Sequence, residues 1–178
     1  MTAMKAAELN FQNPAASQPQ WLALAQAVFN QLVSRWEPGV CGGGLRWQVY
    51  FWNDAWPYKN AISNGCLFNL GARLARYTAN NTYAEWAEKT WDWITAINMI
   101  QLQPYKESVG HFNGSGGGGY VVWDGASTTI NCSVINGIPY SYNAGIWLWG
   151  AATMYNYVSH SLNLSRYLPM RVLTAMIS

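Results

Sequence analysis

Between Cys41 and Gly71 the chain brings glycines, aromatic rings, amides and charged groups into one run, CGGGLRWQVYFWNDAWPYKNAISNGCLFNLG. Gly42, Gly43 and Gly44 permit positive φ angles or a close approach of backbone to a ligand. Arg46, Trp47, Gln48, Tyr50, Trp52, Asn53, Asp54, Trp56, Tyr58, Lys59, Asn60 and Asn64 follow, too polar for ordinary core and too aromatic for an ordinary loop. Flat apolar faces beside fixed donors and acceptors are what a sugar ring and its hydroxyls require. The same composition also suits a buried connection between helices whose aromatics fill space, and the residues alone leave both readings open.

Acid–base chemistry on a glycosidic bond takes two carboxyl groups. The acidic residues are Glu8, Glu37, Asp54, Glu85, Glu88, Asp92, Glu107 and Asp124, and no two are adjacent. Asp54 and Asp124 are the two in glycine- and aromatic-rich loops, where each also suits turn capping, as Asn53-Asp54 and Asp124-Gly125. The only histidines, His111 and His160, have no partner at metal-ligand spacing, so neither a metal nor another cofactor is expected. Cys41, Cys66 and Cys132 allow one disulfide and leave one thiol. Pairing Cys41 with Cys66 would staple the ends of the aromatic run, but the sequence leaves the choice open.

The elements that must hold these groups read as helices. Met1–Leu9 is helical in propensity, without a breaker, and too short to stand alone. Pro14 and Pro19 mark a connection, after which Trp21, Ala25, Val28, Leu32 and Trp36 form an apolar stripe ended by Pro38-Gly39. A second long helix is expected over Asn60–Tyr77, with Ile62, Cys66, Leu70 and Leu74 inward. Asn60 and Asn64 lie on one face of it, either capping the helix or pointing into a groove. Thr82-Tyr83-Ala84-Glu85 is a capping box that starts a third helix reaching about Ile100. Its Trp86, Trp91 and Trp93 fit core packing better than ligand contact.

Gln101–Gly119 loses all periodicity and ends in a glycine run, with His111 as an exposed loop residue. Tyr120–Gly125 is a short β-branched segment, with Ile130–Tyr142 as its partner in a small hairpin. A fourth helix begins at Asn143 and exposes a repeat. Placing Asn64 on Asn143 matches Leu67 with Ile146, Phe68 with Trp147, Gly71 with Gly150 and Ala72 with Ala151. Recurrence of small and bulky residues at equal heights is what adjacent helices in a ring of helical hairpins need. The fold class is therefore all-α with a small β-hairpin.

Charged residues make up 10% of the chain against 15% aromatic, and the net charge of +2 shows no basic block, so nucleic acid is not an expected partner. No apolar run has membrane-spanning length, and no charged segment followed by an apolar one opens the chain. Four sequons, at Asn80, Asn113, Asn131 and Asn163, would be glycosylation acceptors in a secretory compartment.

The motifs CGGGLRWQ, YKNAISNGCLFNLGARLARYT, YAEWAEKTWDW and SYNAGIWLWGAATMYN, in that order, resemble fungal members of glycoside hydrolase family 76. These are endo-α-1,6-mannanase relatives that include glycosylphosphatidylinositol-anchored cell-wall proteins. The resemblance covers Met1 to Tyr157 and implies a partial (α/α)6 toroid, truncated at both ends, of alternating inner and outer helices. Residues 158–178 form a tail without family counterpart. It implies that the catalytic pair, two adjacent aspartates, lies upstream of Met1, so no catalytic residue is expected within the chain.

By the same resemblance, substrate contacts fall on Gly43, Gly44, Arg46, Trp47, Lys59, Asn60, Asn64, Tyr142 and Asn143, with Asp124 a further candidate. Ala144 stands where bacterial relatives often have glutamine, which removes one amide from the pattern. The implied activity is that of a mannan endo-1,6-α-mannosidase on α-1,6-mannan or another mannose-containing glycan. A carbohydrate-binding fragment without turnover, or a cell-wall transglycosylase, is the alternative. The implied location is extracellular, in the cell wall or at the plasma membrane through a lipid anchor that this chain does not contain.

Overall fold

The computed structural model describes residues 1–104 and 118–160. His111, Asn113, Glu107 and Asn163, and the tail from residue 161, lie outside them. Five helices occur among the described residues: α1 (Thr2–Glu8), α2 (Trp21–Ser34), α3 (Ala61–Thr78), α4 (Asn81–Ala96) and α5 (Ser141–His160). Four strands accompany them: β1 (Tyr58–Asn60), β2 (Ile100–Pro104), β3 (Gly118–Ser127) and β4 (Ile135–Pro139). None of these helices is long and apolar enough to cross a membrane.

The centre is α3, buried on nearly every face from Ala61 to Ala75. It packs against both α4 and α5, with α1 and α2 along another side. The equivalence between α3 and α5 seen in the sequence is a physical contact. Phe68 stacks on Trp147, with ring centroids 4.8 Å apart and planes 20° from parallel. Gly65 passes Ile146 and Trp147, and Gly150 passes Phe68, each so closely that a Cβ would collide. The two helices therefore rise in parallel from a common end, small positions of each facing bulky positions of the other.

Two details of the helices depart from the expected pattern. Along α2, Val28 is exposed and Phe29 takes the inner place with Ala25, because Phe29 meets Tyr83 edge-on at 4.8 Å. The start of α4 lies one residue before Thr82: Asn80 is the cap, its side chain accepting from Thr82 N–H at 3.0 Å, while Glu85 pairs with Asn81 instead of reaching back to Thr82. That helix ends at Ala96, since Asn98 adopts φ +60 and Ile100 already belongs to β2.

The expected hairpin is present as β3 and β4, and it belongs to a larger, four-stranded antiparallel sheet. The long strand β3 pairs with β1, β2 and β4 in turn. Two of the four strands lack a legible pattern: β1 is three residues at a helix entrance, and β2 directly continues the chain leaving α4. Gly125 is what allows β1 and β3 to close, since a Cβ there would meet the Tyr58 ring and the Lys59 carbonyl.

The disulfide joins Cys41 to Cys132, across 91 residues of sequence, and Cys66 is the free thiol. Cys66 sits on α3, half-buried, whereas the turn after β3 brings Cys132 to the glycine loop.

Candidate functional site

The glycine loop is held from beneath by charged and amide groups. Cys41, Gly42, Gly43 and Gly44 all have positive φ, from +55 to +144. Gly43 and Gly44 are buried, and their missing side chains make room for indoles: a Cβ on Gly43 would fall 2.6 Å from Trp36, and one on Gly44 would overlap the Trp93 ring. The Nζ of Lys59 donates to the carbonyls of Gly43 at 2.6 Å, Val40 at 2.7 Å and Glu37 at 3.2 Å. Asn64 accepts from Leu45 N–H at 2.8 Å and donates to the Leu45 and Asn60 carbonyls. Trp93 Nε1 donates to the Cys41 carbonyl at 2.9 Å, and Asn131 accepts from Cys41 N–H at 2.7 Å. Several buried backbone groups of the turn thus meet a fixed partner, which is how such a chain conformation survives.

Lys59 is wholly buried; that burial lowers its pKa, with the Glu37 carboxylate 3.3 Å away opposing the shift. Burial alone would raise the Glu37 pKa, but the Arg46 hydrogen bonds and the Lys59 charge outweigh it and hold the acid below its usual range. Arg46 grips Glu37 with two hydrogen bonds of 2.9 Å and also donates to Thr128 Oγ1 and the Trp56 carbonyl. Its guanidinium lies 4.7 Å from the centre of the Trp56 ring. Trp36, Glu37, Arg46, Val49 and Trp56 line a cavity of about 420 Å³ beside the end of α2. Asn60 caps α3 by accepting from Ser63 N–H at 3.2 Å.

Outside this buried frame the side chains are open. Trp47 is about half exposed, at 48%, and meets Tyr58 edge-on at 6.3 Å. Tyr58 Oη donates to Asp124 Oδ2 at 2.7 Å, and Asn136 Nδ2 donates to Tyr58 Oη at 3.1 Å. Burial and then the hydrogen bond to Asp124 push the Tyr58 phenol well above its ordinary range, so it remains a proton donor. Tyr142 stacks on Tyr140 at 5.2 Å with the planes 16° apart. Desolvation, then the Asp124 and Tyr140 charges, raise the Tyr142 phenol as well.

At the start of α5, Asn143 is wholly buried, and neither its amide nitrogen nor its carbonyl oxygen has a hydrogen-bond partner among the described residues. Leaving such a donor and acceptor dry costs about 1–3 kcal/mol each, a cost a polar partner would remove.

The residues expected to touch substrate therefore divide. Trp47, Asp124 and Tyr142 have accessible surface around Tyr58 and Tyr140, and Asn143 has unspent hydrogen-bonding capacity. Gly43, Gly44, Lys59, Asn60 and Asn64 are buried, and Arg46 is engaged by Glu37, Thr128 and Trp56; all six spend their polar groups or their space on the protein itself. Sequence reasoning passed over Tyr58 and Asn136 as site residues. Tyr58 carried the aromatic signal of its run, but nothing in Asn136-Gly137 beyond a turn pattern pointed to the sheet that brings it to Asp124. Asn80 and Asn131 are both exposed.

A family model described as Glycosyl hydrolase family 76 matches residues 1–168. The mannan endo-1,6-alpha-mannosidase DCW1 of Saccharomyces cerevisiae is 46% identical over 162 residues, which cover 91% of this chain and 33% of that protein. DFG5 of the same yeast, also named a mannan endo-1,6-alpha-mannosidase, is 45% identical over 156 residues, 88% of this chain and 31% of its own length. The chain thus spans about a third of the length of the curated relatives it matches. The crystal structure of Dfg5 from Chaetomium thermophilum in complex with glucosamine superposes with a TM-score of 0.77 at 44% identity, over 99% of this chain and 39% of that one. An inactive variant of an alpha-1,6-mannanase from Salegentibacter, in complex with alpha-1,6-mannotetrose, shares the fold at TM-score 0.62 and 19% identity, over 99% of this chain and 44% of that one.

Proposed function

Because the chain belongs to glycosyl hydrolase family 76, we propose that the protein of which it is part is a mannan endo-1,6-α-mannosidase, cleaving α-1,6-linked mannan in or at the fungal cell wall. The observation that carries this reading is the accessible set of Trp47, Tyr142 and Asp124, ring faces and a carboxylate that Tyr58 orients through a 2.7 Å hydrogen bond. Hydroxyls of a neutral pyranose match that set, as an aromatic ring matches the apolar face of a sugar.

In this reading the binding groups are the accessible Trp47, Asp124 and Tyr142. Lys59, Asn60, Asn64, Arg46, Gly43 and Gly44 act by fixing the loop that carries Trp47. The acid and the nucleophile would be an adjacent aspartate pair of the whole protein, since no two acidic residues of this chain are adjacent. One protonates the leaving oxygen while the other attacks the anomeric carbon, and water or an acceptor sugar resolves the intermediate. The Cys41–Cys132 disulfide suits an oxidising, extracellular setting, as do the exposed sequons at Asn80 and Asn131.

The test is incubation of the full-length protein with purified α-1,6-mannan, with products followed by mass. Internal cleavage into oligomannosides is expected, and loss of cleavage when that aspartate pair becomes asparagine. Tight mannan binding with no product would replace this reading with that of a carbohydrate-binding protein without turnover.

A further inference from the structure

Three strands converge on Asp124. It sits on β3 at an irregularity in pairing, where Trp123 faces Pro139 but Gly125 already faces Asn136. The extra residue lies on β4, between Asn136 and Pro139, and a bulge there re-aims β4 side chains beside Asp124. From β1, Tyr58 donates to Asp124 Oδ2 at 2.7 Å; from β4, Asn136 donates to the Tyr58 hydroxyl at 3.1 Å and lies 3.5 Å from the same Oδ2. Among the described residues Asp124 Oδ1 accepts no hydrogen bond, and no cation pairs with the carboxylate. Gly125 is part of the device, since any Cβ there would occupy the place of the Tyr58 ring.

We infer that Tyr58 and Asn136 are positioning residues for Asp124: they lock one carboxylate oxygen with neutral donors and leave the other to accept from hydroxyls of a neutral sugar. A turn-capping aspartate would accept from backbone N–H groups near it in sequence. Here both donors are side chains from other strands, 66 and 12 residues away. A cation in their place would neutralise the carboxylate and occupy its second oxygen; a phenol and an amide hold it and leave its charge available. The titratable groups facing Asp124 are the phenols of Tyr58, Tyr140 and Tyr142, and phenols do not titrate in the acid range. This inference rests on the reading of the protein as acting on a neutral mannan.

The experiment is steady-state kinetics of the full-length protein on α-1,6-mannan from pH 3 to 7, with a thermal melt for each variant. The variants are Tyr58→Phe, Asn136→Ala, Asp124→Asn and the Tyr58→Phe/Asp124→Asn double. Expected for Tyr58→Phe is a roughly tenfold rise in KM, the scale of one hydrogen bond to a charged group. In the Asp124→Asn background the same change should cost less than about twofold. Tyr58→Phe that lowers the melting temperature but leaves KM in place, or that costs the same in both backgrounds, overturns the inference while leaving the substrate assignment standing. A wild type that neither binds nor cleaves α-1,6-mannan removes the substrate assignment and this inference together.

Discussion

Asn64 reaches from the first turn of α3 to hold both backbone groups of Leu45, accepting from its N–H at 2.8 Å and donating to its carbonyl at 3.1 Å. One buried amide thereby imitates a strand partner for a single residue, directly after the four positive-φ positions of the glycine loop. Replacing it with leucine, which fills similar space without donors or acceptors, strands the Leu45 amide and the Asn60 carbonyl. A loss of about 3 kcal/mol is expected, read by chemical denaturation of the full-length protein. An unchanged midpoint would mean that the loop is fixed by its other contacts alone.

Lys59→Met keeps the aliphatic stem but leaves three carbonyls, those of Glu37, Val40 and Gly43, without their donor. Removing one partner from a buried charged arrangement costs about 3–5 kcal/mol. The variant should also bind glycan less tightly, because the loop that carries Trp47 loses its anchor. Wild-type stability in Lys59→Met would show that the ammonium contributes nothing to the frame.

The Cys41–Cys132 bond ties that same loop to the turn after β3 and closes 91 residues. Chain entropy puts the contribution of such a closure at about 4–5 kcal/mol. A Cys132→Ser variant should melt well below wild type, whereas Cys66→Ser should melt within a degree or two of it. Equal melting of Cys132→Ser and wild type would place the restraint elsewhere.

The acid limb of stability follows from Glu37. Its folded pKa lies below its unfolded value, so between the two the unfolded chain binds more protons. The contribution is complete above about pH 4.3, the ordinary glutamate value, and is lost as pH falls through the folded pKa. Glu37→Gln should lower stability at pH 7 and flatten its decline below that point. An unaltered decline in the glutamine variant would assign the acid limb to other carboxylates.

How much of this was legible in the residues depends on the range of the interaction. Helical periodicity located α2, α3, α4 and α5, and the offset between Asn64 and Asn143 matched Phe68 with Trp147 as equivalent positions, though only the structure shows that the two rings stack. Capping was less certain: Thr82 and Asn80 are both good caps, and which one wins depends on where the chain leaves α3, with Ala79 at φ +55. The sheet was mostly hidden, since Tyr58 and Asp124 are 66 residues apart and their partnership depends on strand pairing that no local pattern encodes.

The site was legible in its residue types more than in its roles. Lys59, Asn60 and Asn64 have the chemistry of sugar ligands. Only their burial, with carbonyls already in reach, shows that they hold the loop from inside. Sequence spacing cannot tell a polar group facing a groove from one facing a backbone.

The most direct test of the central claim, that Trp47, Asp124 and Tyr142 receive an α-1,6-linked mannan, is calorimetric titration of the full-length protein with α-1,6-mannotetraose. The comparison is between wild type and Tyr142→Ala, whose side chain is half exposed, with each protein first shown to be folded. Saturable binding by wild type is expected, with a loss of roughly tenfold in Tyr142→Ala, the scale of one aromatic stacking contact. Equal affinity in the two proteins would contradict it.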